Sequence, residues 1–365
     1  MSNSAENDPV VSVVMSVHNG ERFLREAVES ILGQSFRDFE FITIDDGSTD
    51  CTAAILSSYQ RNDPRVRVYH QENRGLIESL NRGCGVARGK YIARMDADDV
   101  AVRDRLMRQV DFMETHREIA VLGGAVEVIN AAGESLATYR NPAKDDEIKS
   151  ELLQGGCPLW HPAVLMRSHV FRSVGGYRRN VVDAEDLDLW LRIADHYQLG
   201  NLEAIVLRYR RHDAQVSVRK FKQQVFSNLA ARIATSARRS GKPDPLDAVG
   251  KITPTVLAAL GATDARQQAA LAKGYLICIR SMYEAREYAI ARTLVSEARR
   301  SAIWDHADNP VTADFYLIAA RLYWQQRRLI TSIVMLSQAM VTRPRVLARR
   351  LKPIVGRIRF WIGQI

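Results

Sequence analysis

Four short apolar runs punctuate the first hundred residues, and each leads into a helical pattern or an acidic turn. Residues 10–15, 39–44, 66–69 and 91–95 read as strands. Between the first two, Phe23, Leu24, Ala27, Val28, Ile31 and Leu32 recur at helical spacing, and further helices are expected at 51–61 and 76–87. Continuous apolar strands separated by amphipathic helices bury both strand faces only in a mostly parallel sheet with helices on each side. The expected fold class is therefore α/β. Ligands of such sheets bind outside the carboxyl ends of the strands. The second strand runs into Asp45-Asp46-Gly47-Ser48-Thr49-Asp50 and the fourth into Asp96-Ala97-Asp98-Asp99, so both acidic clusters fall where a site is expected.

Charge divides the chain. Residues 1–215 hold 26 Lys/Arg against 33 Asp/Glu, a net of −7, whereas 216–365 hold 25 against 9, a net of +16. From about 220 the pattern is helical and rich in Arg and Ala, and Gly241-Lys242-Pro243-Asp244-Pro245 reads as a linker. Beyond it Tyr275-Leu276-Ile277 recurs 41 residues later as Tyr316-Leu317-Ile318. Arg280, Tyr283, Arg286 and Ala298 return as Arg321, Trp324, Arg327 and Ala339. Each copy reads as two helices, either a tetratricopeptide-like hairpin lengthened by a loop at 304–310 or part of an ordinary bundle. The expected division is a catalytic domain at 1–215, a helical connector at 216–250 and an all-α region at 251–365.

Several classes are excluded. Cys51, Cys84, Cys157 and Cys278 show no metal-ligand spacing, which suits a reduced, cytoplasmic compartment. The N-terminus lacks the pattern of a signal peptide, and no apolar run approaches the ~20 residues of a membrane span. His18-Asn19-Gly20-Glu21 stands where a dinucleotide fold needs a Gly-x-Gly-x-x-Gly turn, and Gly89-Lys90-Tyr91 is not a phosphate-binding loop of the Walker type. The basic half has no aromatic-interleaved pattern for nucleic acid.

The acidic clusters carry the chemistry. Three carboxylates after a strand, Asp96, Asp98 and Asp99, are hard oxygen ligands suited to Mg²⁺ or Mn²⁺ shared with substrate phosphates. A net-negative domain would repel a pyrophosphate without such a cation. Glu185-Asp186-Leu187-Asp188 reads as a helix start, with Leu187, Trp190 and Leu191 facing the core, Asp186 turned to a cleft and Asp188 at the surface or capping.

Taken together, 11–20, 44–50, Asn73-Arg74-Gly75, 95–99, His161-Pro162 and Glu185-Asp186 resemble, in order, the motifs of family 2 glycosyltransferases, inverting enzymes of the GT-A fold. The resemblance spans about 10–215. It implies a metal-assisted transfer of one sugar from a nucleotide-diphospho-sugar, most often a UDP-sugar, to an acceptor hydroxyl. It implies that Asp46, with Asp45 beside it, meets the base, and that Ser16, His18, Asn19 and Arg74 line the nucleotide. Ser16 and His18 replace the family's usual Pro and Tyr. Asp96, Ala97 and Asp98 would lie along the ribose, Asp98 and Asp99 would hold the metal, and Asp186, with Glu185 beside it, would be the base. His212 falls where many GT-A enzymes place a histidine near the metal or diphosphate; the alternative is a surface side chain.

The acceptor is expected to be a glycan, a lipid-linked glycan or a protein, in bacterial surface polysaccharide, lipopolysaccharide or glycan assembly. No Trp follows an Arg, so the Gln-x-x-Arg-Trp motif of processive synthases is absent and single transfer is expected. Leu347, Leu351, Ile354, Val355, Ile358, Trp361 and Ile362 alternate with Arg and Lys, either as a helix for the anionic inner face of a membrane or as a packing stripe. The competing readings are a nucleotidyltransferase of related fold, whose Gly- and Arg-rich first loop is missing, and a helical scaffold carrying an inactive transferase domain.

Overall fold

The computed structural model describes residues 8–212, 218–284, 286–300 and 310–342. The apolar stripe at 347–362 lies outside them. Contacts divide the chain into two units, one formed by 1–217 and 230–252, the other by 218–229 and 253–365.

The first unit opens with the expected alternation: β1 (Val11–Val17), α1 (Leu24–Leu32), β2 (Phe39–Asp46), α2 (Thr52–Asn62), β3 (Val66–Gln71), α3 (Leu76–Gly85) and β4 (Tyr91–Asp96). β1 pairs in parallel with β2 and β4, and β2 with β3, which aligns the carboxyl ends of four strands on one edge. β1 and β2 are buried almost throughout, as two-sided burial demands, and α1 sets Leu24, Ala27, Val28 and Ile31 against them.

The next stretch is β5 (Val100–Ala101), α4 (Arg105–Thr115), β6 (Ile119–Ile129), β7 (Ser135–Tyr139), α5 (Asp145–Gln154), β8 (Leu165–Arg167), α6 (Ser168–Ser173), α7 (Glu185–Ala194) and β9 (Gln198–Arg210). It completes a nine-stranded sheet of order β3-β2-β1-β4-β8-β6-β9-β5, with β7 on β6. β8 is antiparallel to β4, so the sheet is mixed and mostly parallel in its first half. β9 runs parallel to β6 and carries the chain back to the carboxyl edge of β4, where β5 pairs with it.

Charge is buried in pairs. Asp188 is 1% exposed. It accepts from Arg192 Nε at 2.8 Å and lies 3.5 Å from Arg178 Nη1. This corrects the surface or capping role expected for it. One turn of helix brings Arg192 onto Asp188, and a buried carboxylate needs such partners. Arg178 also meets Asp244 at 2.7 Å, and Asp244 binds Arg238. The Gly/Pro-rich stretch around 241–245 is thus pinned by ions rather than left as a slack tether.

Both units contribute to α8 (Val218–Arg239). The second unit continues with α9 (Pro254–Ala259), α10 (Asp264–Glu284), α11 (Tyr288–Arg300), α12 (Pro310–Gln325) and α13 (Leu329–Thr342). α10 with α11 and α12 with α13 form two hairpins whose turns match at the 41-residue offset. Arg286 and Arg327 both adopt positive φ, 62° and 57°. The N–H of Glu287 reaches back to Met282 O, and that of Arg328 to Tyr323 O, each at 2.9 Å.

Candidate active site

At the ends of β1, β2 and β3 the loops are tied to one another by side chains. Asp46 closes β2, and its carboxylate accepts from the backbone N–H of Arg74 and of Gly75, both at 2.8 Å, and from Gln71 Nε2 at 2.7 Å. Burial alone would raise this carboxyl, but those donors and Ser79 outweigh it and hold Asp46 below its ordinary range. Asp45 meets His70 Nδ1 at 2.9 Å and accepts from the Ser48 N–H. The turn between them needs its glycine: Gly47 has φ +73°, and a Cβ there would lie 2.6 Å from the Asn73 nitrogen.

His18 and Asn19 leave β1 and cross to the same place. His18 Nδ1 lies 3.0 Å from Asp46 O, and Asn73 Nδ2 lies 3.2 Å from that nitrogen. Asn19, at φ 53°, accepts from the Thr49 N–H at 2.8 Å. The structure therefore gathers His18, Asn19, Asp45, Asp46 and Arg74. It adds Asn73, the residue before Arg74 in the Asn73-Arg74-Gly75 motif, which meets His18. The Asp46 carboxylate is largely engaged by the 71–75 loop, and the exposed side chains around it are those of His18, Asn19, Asn73 and Arg74.

The second cluster closes β4. Ser16 pairs in register with Asp96, so the first and fourth strands end side by side. Oxygens of Asp96, Asp98 and Asp99 lie within 4.8 Å of one another. Asp99 is fully buried; one oxygen accepts the Arg210 N–H at 2.7 Å and the other, Oδ2, has no partner. Burial, then the charges of Asp96 and Asp98, push the Asp99 carboxyl well above its usual range. A buried, orphaned oxygen facing two more carboxylates fits a divalent cation, which relieves both the repulsion and the missing bond. Asp96, expected along the ribose, joins the potential ligand set. Ala97 between them is partly buried against the core.

His212 follows β9, and its Nε2 lies 3.0 Å from Asp98 Oδ2, with the ring 5.0 Å from that of Phe23. It sits at the acidic cluster rather than on a free surface. Arg210 makes this possible. Fully buried, it reaches Asp98 O at 2.8 Å and Glu26 at 2.5 Å.

The third group opens α7. Glu185 is buried, and its carboxyl is pushed up to about 8 by burial and then by the Asp186 charge. Burial also raises Asp186, against the Leu187 N–H that its Oδ1 accepts at 2.7 Å. His161 Nδ1 lies 4.0 Å from Glu185, and its Nε2 is 2.8 Å from Tyr177 OH. Leu187, Trp190 and Leu191 are buried beneath, as expected. Between the second and third groups lies Arg94, 3% exposed and ion-paired with Asp96. Its charge favours ionised Asp96, Asp99, Glu185 and Asp186 alike. The signal for it was present: an arginine inside a strand buried on both faces must have a charge partner.

The profile of Glycosyl transferase family 2 matches residues 12–175. The chain is 36% identical over 218 residues to EpsE of Bacillus subtilis, named after a glycosyltransferase assignment, covering 58% of this chain and 77% of that protein. It is 32% identical over 209 residues to the O-antigen biosynthesis glycosyltransferase WbnJ of Escherichia coli, covering 56% and 80%. The fold is similar to that of residues 1–349 of S. aureus TarS in complex with UDP-GlcNAc. The TM-score is 0.52 at 14% identity, over 91% of this chain and 90% of that one. A GT-A-like sheet bearing these motifs in order, together with relatives this similar over most of their length, shows that the chain belongs to glycosyl transferase family 2, whose inverting members use nucleotide-sugar donors.

Proposed function

We propose that this glycosyltransferase moves one sugar at a time from a UDP-linked donor to an acceptor hydroxyl, in the assembly of bacterial surface polysaccharide, lipopolysaccharide or another glycan. The observation that carries the reading is the carboxylate triad at the end of β4, with an orphaned buried oxygen on Asp99, which shares the charge of Arg94 with the Glu185–Asp186 pair. The TarS fold in complex with UDP-GlcNAc and the O-antigen role in the name of WbnJ support the choice of donor and pathway. The absence of a Gln-x-x-Arg-Trp motif supports single transfer.

In this reading His18, Asn19, Asp45, Asp46 and Arg74 frame the nucleoside, with Ser16, Asp96 and Ala97 toward the ribose. Asp98, Asp99 and His212 would hold Mn²⁺ or Mg²⁺, with Asp96 as a further carboxylate. When bound, such a cation neutralises the departing diphosphate. Asp186 takes the proton from the acceptor hydroxyl as its oxygen attacks the anomeric carbon from the face opposite the leaving group. Glu185 stays protonated near neutral pH, since its own burial and then the neighbouring Asp186 charge both oppose its ionisation. Arg94 holds negative charge on both sides of the site. The acceptor is a glycan, a lipid-linked glycan or a protein, on the cytoplasmic side; among the described residues no helix is long and apolar enough to cross a membrane.

The test is nucleoside diphosphate release from a panel of UDP-, GDP-, dTDP- and ADP-sugars, with Mn²⁺ and with EDTA. Release from a UDP-sugar that depends on the metal supports the reading. Release that favours another nucleotide, or is unchanged in EDTA, contradicts it.

A further inference from the structure

The described end of the second unit presents a surface that packing does not explain. α13 has no charged residue, and its buried side chains, Ser332, Met335 and Ala339, lie on one face. The opposite face exposes Leu329, Ile330, Ile333, Val334, Met340 and Val341, with Ile330 at 82% and Val341 at 85%. At 100° per residue these six fall within less than half a turn of the helix. The related hairpin supplies an internal control. At the 41-residue offset, α11 carries Arg292, Thr293, Arg299 and Arg300 where α13 carries Ile333, Val334, Met340 and Val341. All four α11 side chains are exposed and polar, as a solvated helix face should be. The same place in the same kind of hairpin is thus solvated in one copy and apolar in the other. An exposed apolar face of this kind, broken only by Ser337, marks an interaction site.

Charge identifies the partner. Exposed Arg327 and Arg328 immediately precede α13, and the sequence continues after it with Arg343 and Arg345. No Asp or Glu occurs after Asp314. A second copy docked face to face would bring the same apolar stripe but also the same flanking cations, and α13 itself carries no carboxylate to meet them. An anionic lipid surface satisfies both features, since acyl chains accept the apolar side chains and phosphate headgroups accept the flanking arginines. We infer that the exposed face of α13, flanked by Arg327 and Arg328, docks on an anionic membrane surface. The inference stands apart from the donor and metal assignment, because none of its residues belongs to the candidate active site.

The experiment is sedimentation of the full-length protein with vesicles of phosphatidylcholine alone and of phosphatidylcholine mixed with phosphatidylglycerol. The protein should pellet with the phosphatidylglycerol vesicles at low salt and be released as salt rises. Ile330→Glu/Ile333→Glu/Val341→Glu should weaken that binding by about tenfold or more, because acidic groups replace apolar contact on a face pointing to anionic lipid. The substituted positions are solvent-exposed, so an unchanged circular dichroism spectrum and melting temperature should accompany the loss. Arg327→Glu/Arg328→Glu should remove most of the preference for phosphatidylglycerol. Equal pelleting of wild type and the triple variant overturns the proposal, as does failure of the wild type to bind anionic vesicles. A dimer broken by the triple substitution, in a protein that ignores vesicles, also overturns it and makes the face a protein interface.

Discussion

The imidazole Nε2 of His212 stands 3.0 Å from a carboxylate oxygen of Asp98, 114 residues earlier in the chain. The contact joins the loop after β4 to the residues after β9, and it exists because β9 returns along β6 to the carboxyl edge of the sheet. Arg210 and Asp99, bonded at 2.7 Å just beneath, fix the approach.

His212→Ala should therefore leave the fold intact and weaken Mn²⁺ affinity by about 10–100-fold, the usual effect of removing a group that ligates or orients a ligand. Titration of Mn²⁺ in the presence of UDP measures it. Unchanged affinity would make the His212–Asp98 contact a purely structural one.

Asp186→Asn should retain UDP binding and lose turnover by about 10²–10⁴-fold, the contribution of a positioned base. Calorimetry and product release, run on one preparation, separate the two effects. Turnover near that of wild type would move the base to Glu185.

The Glu185 carboxyl, ordinarily near 4.5, is pushed up to about 8 by burial and the Asp186 charge. The folded chain keeps a proton that the unfolded chain releases between those values. Its contribution to stability is complete below pH 4.5 and declines as pH rises toward 8. Glu185→Gln, which cannot ionise, should flatten the fall in melting temperature over that window. Identical slopes for wild type and variant would disprove the shift.

Asp188→Ala removes the carboxylate shared by Arg192 and Arg178 and takes from buried Arg192 its ion-pair partner, while Arg178 keeps Asp244 and Asp247. The expected loss is about 3–5 kcal/mol in urea unfolding, as for other broken buried pairs. Asp186→Asn, two residues away, should cost far less, because Asp186 has no arginine partner of this kind in the helix.

Much of this site was legible in the sequence because its geometry is local. The strand–helix alternation through 10–96 predicted β1 to β4 to within two residues at most of their ends, and strand ends bring carboxylates to one edge without further information. Less local features escaped notice. β6 contains Gly123-Gly124 within its apolar run, β8 has three residues, and β9 carries Gly200-Asn201 and then the unbroken apolar run Ala204-Ile205-Val206-Leu207, so none shows a clean two-residue alternation over its length. Asp188 looked solvated because acids at a helix start usually are, and its second cation, Arg178, comes from outside the helix. The roles of Arg94 and Arg210 depend on neighbours supplied by folding. The burial of Glu185 likewise follows from tertiary packing that no spacing encodes.

The central claim is that the Asp96, Asp98 and Asp99 carboxylates hold a divalent cation that recruits a uridine diphosphate donor. Calorimetric titration of UDP into the wild-type protein and into Asp98→Asn, each with Mn²⁺ and with EDTA, tests it most directly. Mn²⁺ should raise the affinity of the wild type for UDP by about tenfold or more, and Asp98→Asn should lose that gain while keeping its affinity in EDTA. Equal affinity for UDP in Mn²⁺ and EDTA, or a gain that survives in Asp98→Asn, would contradict the account.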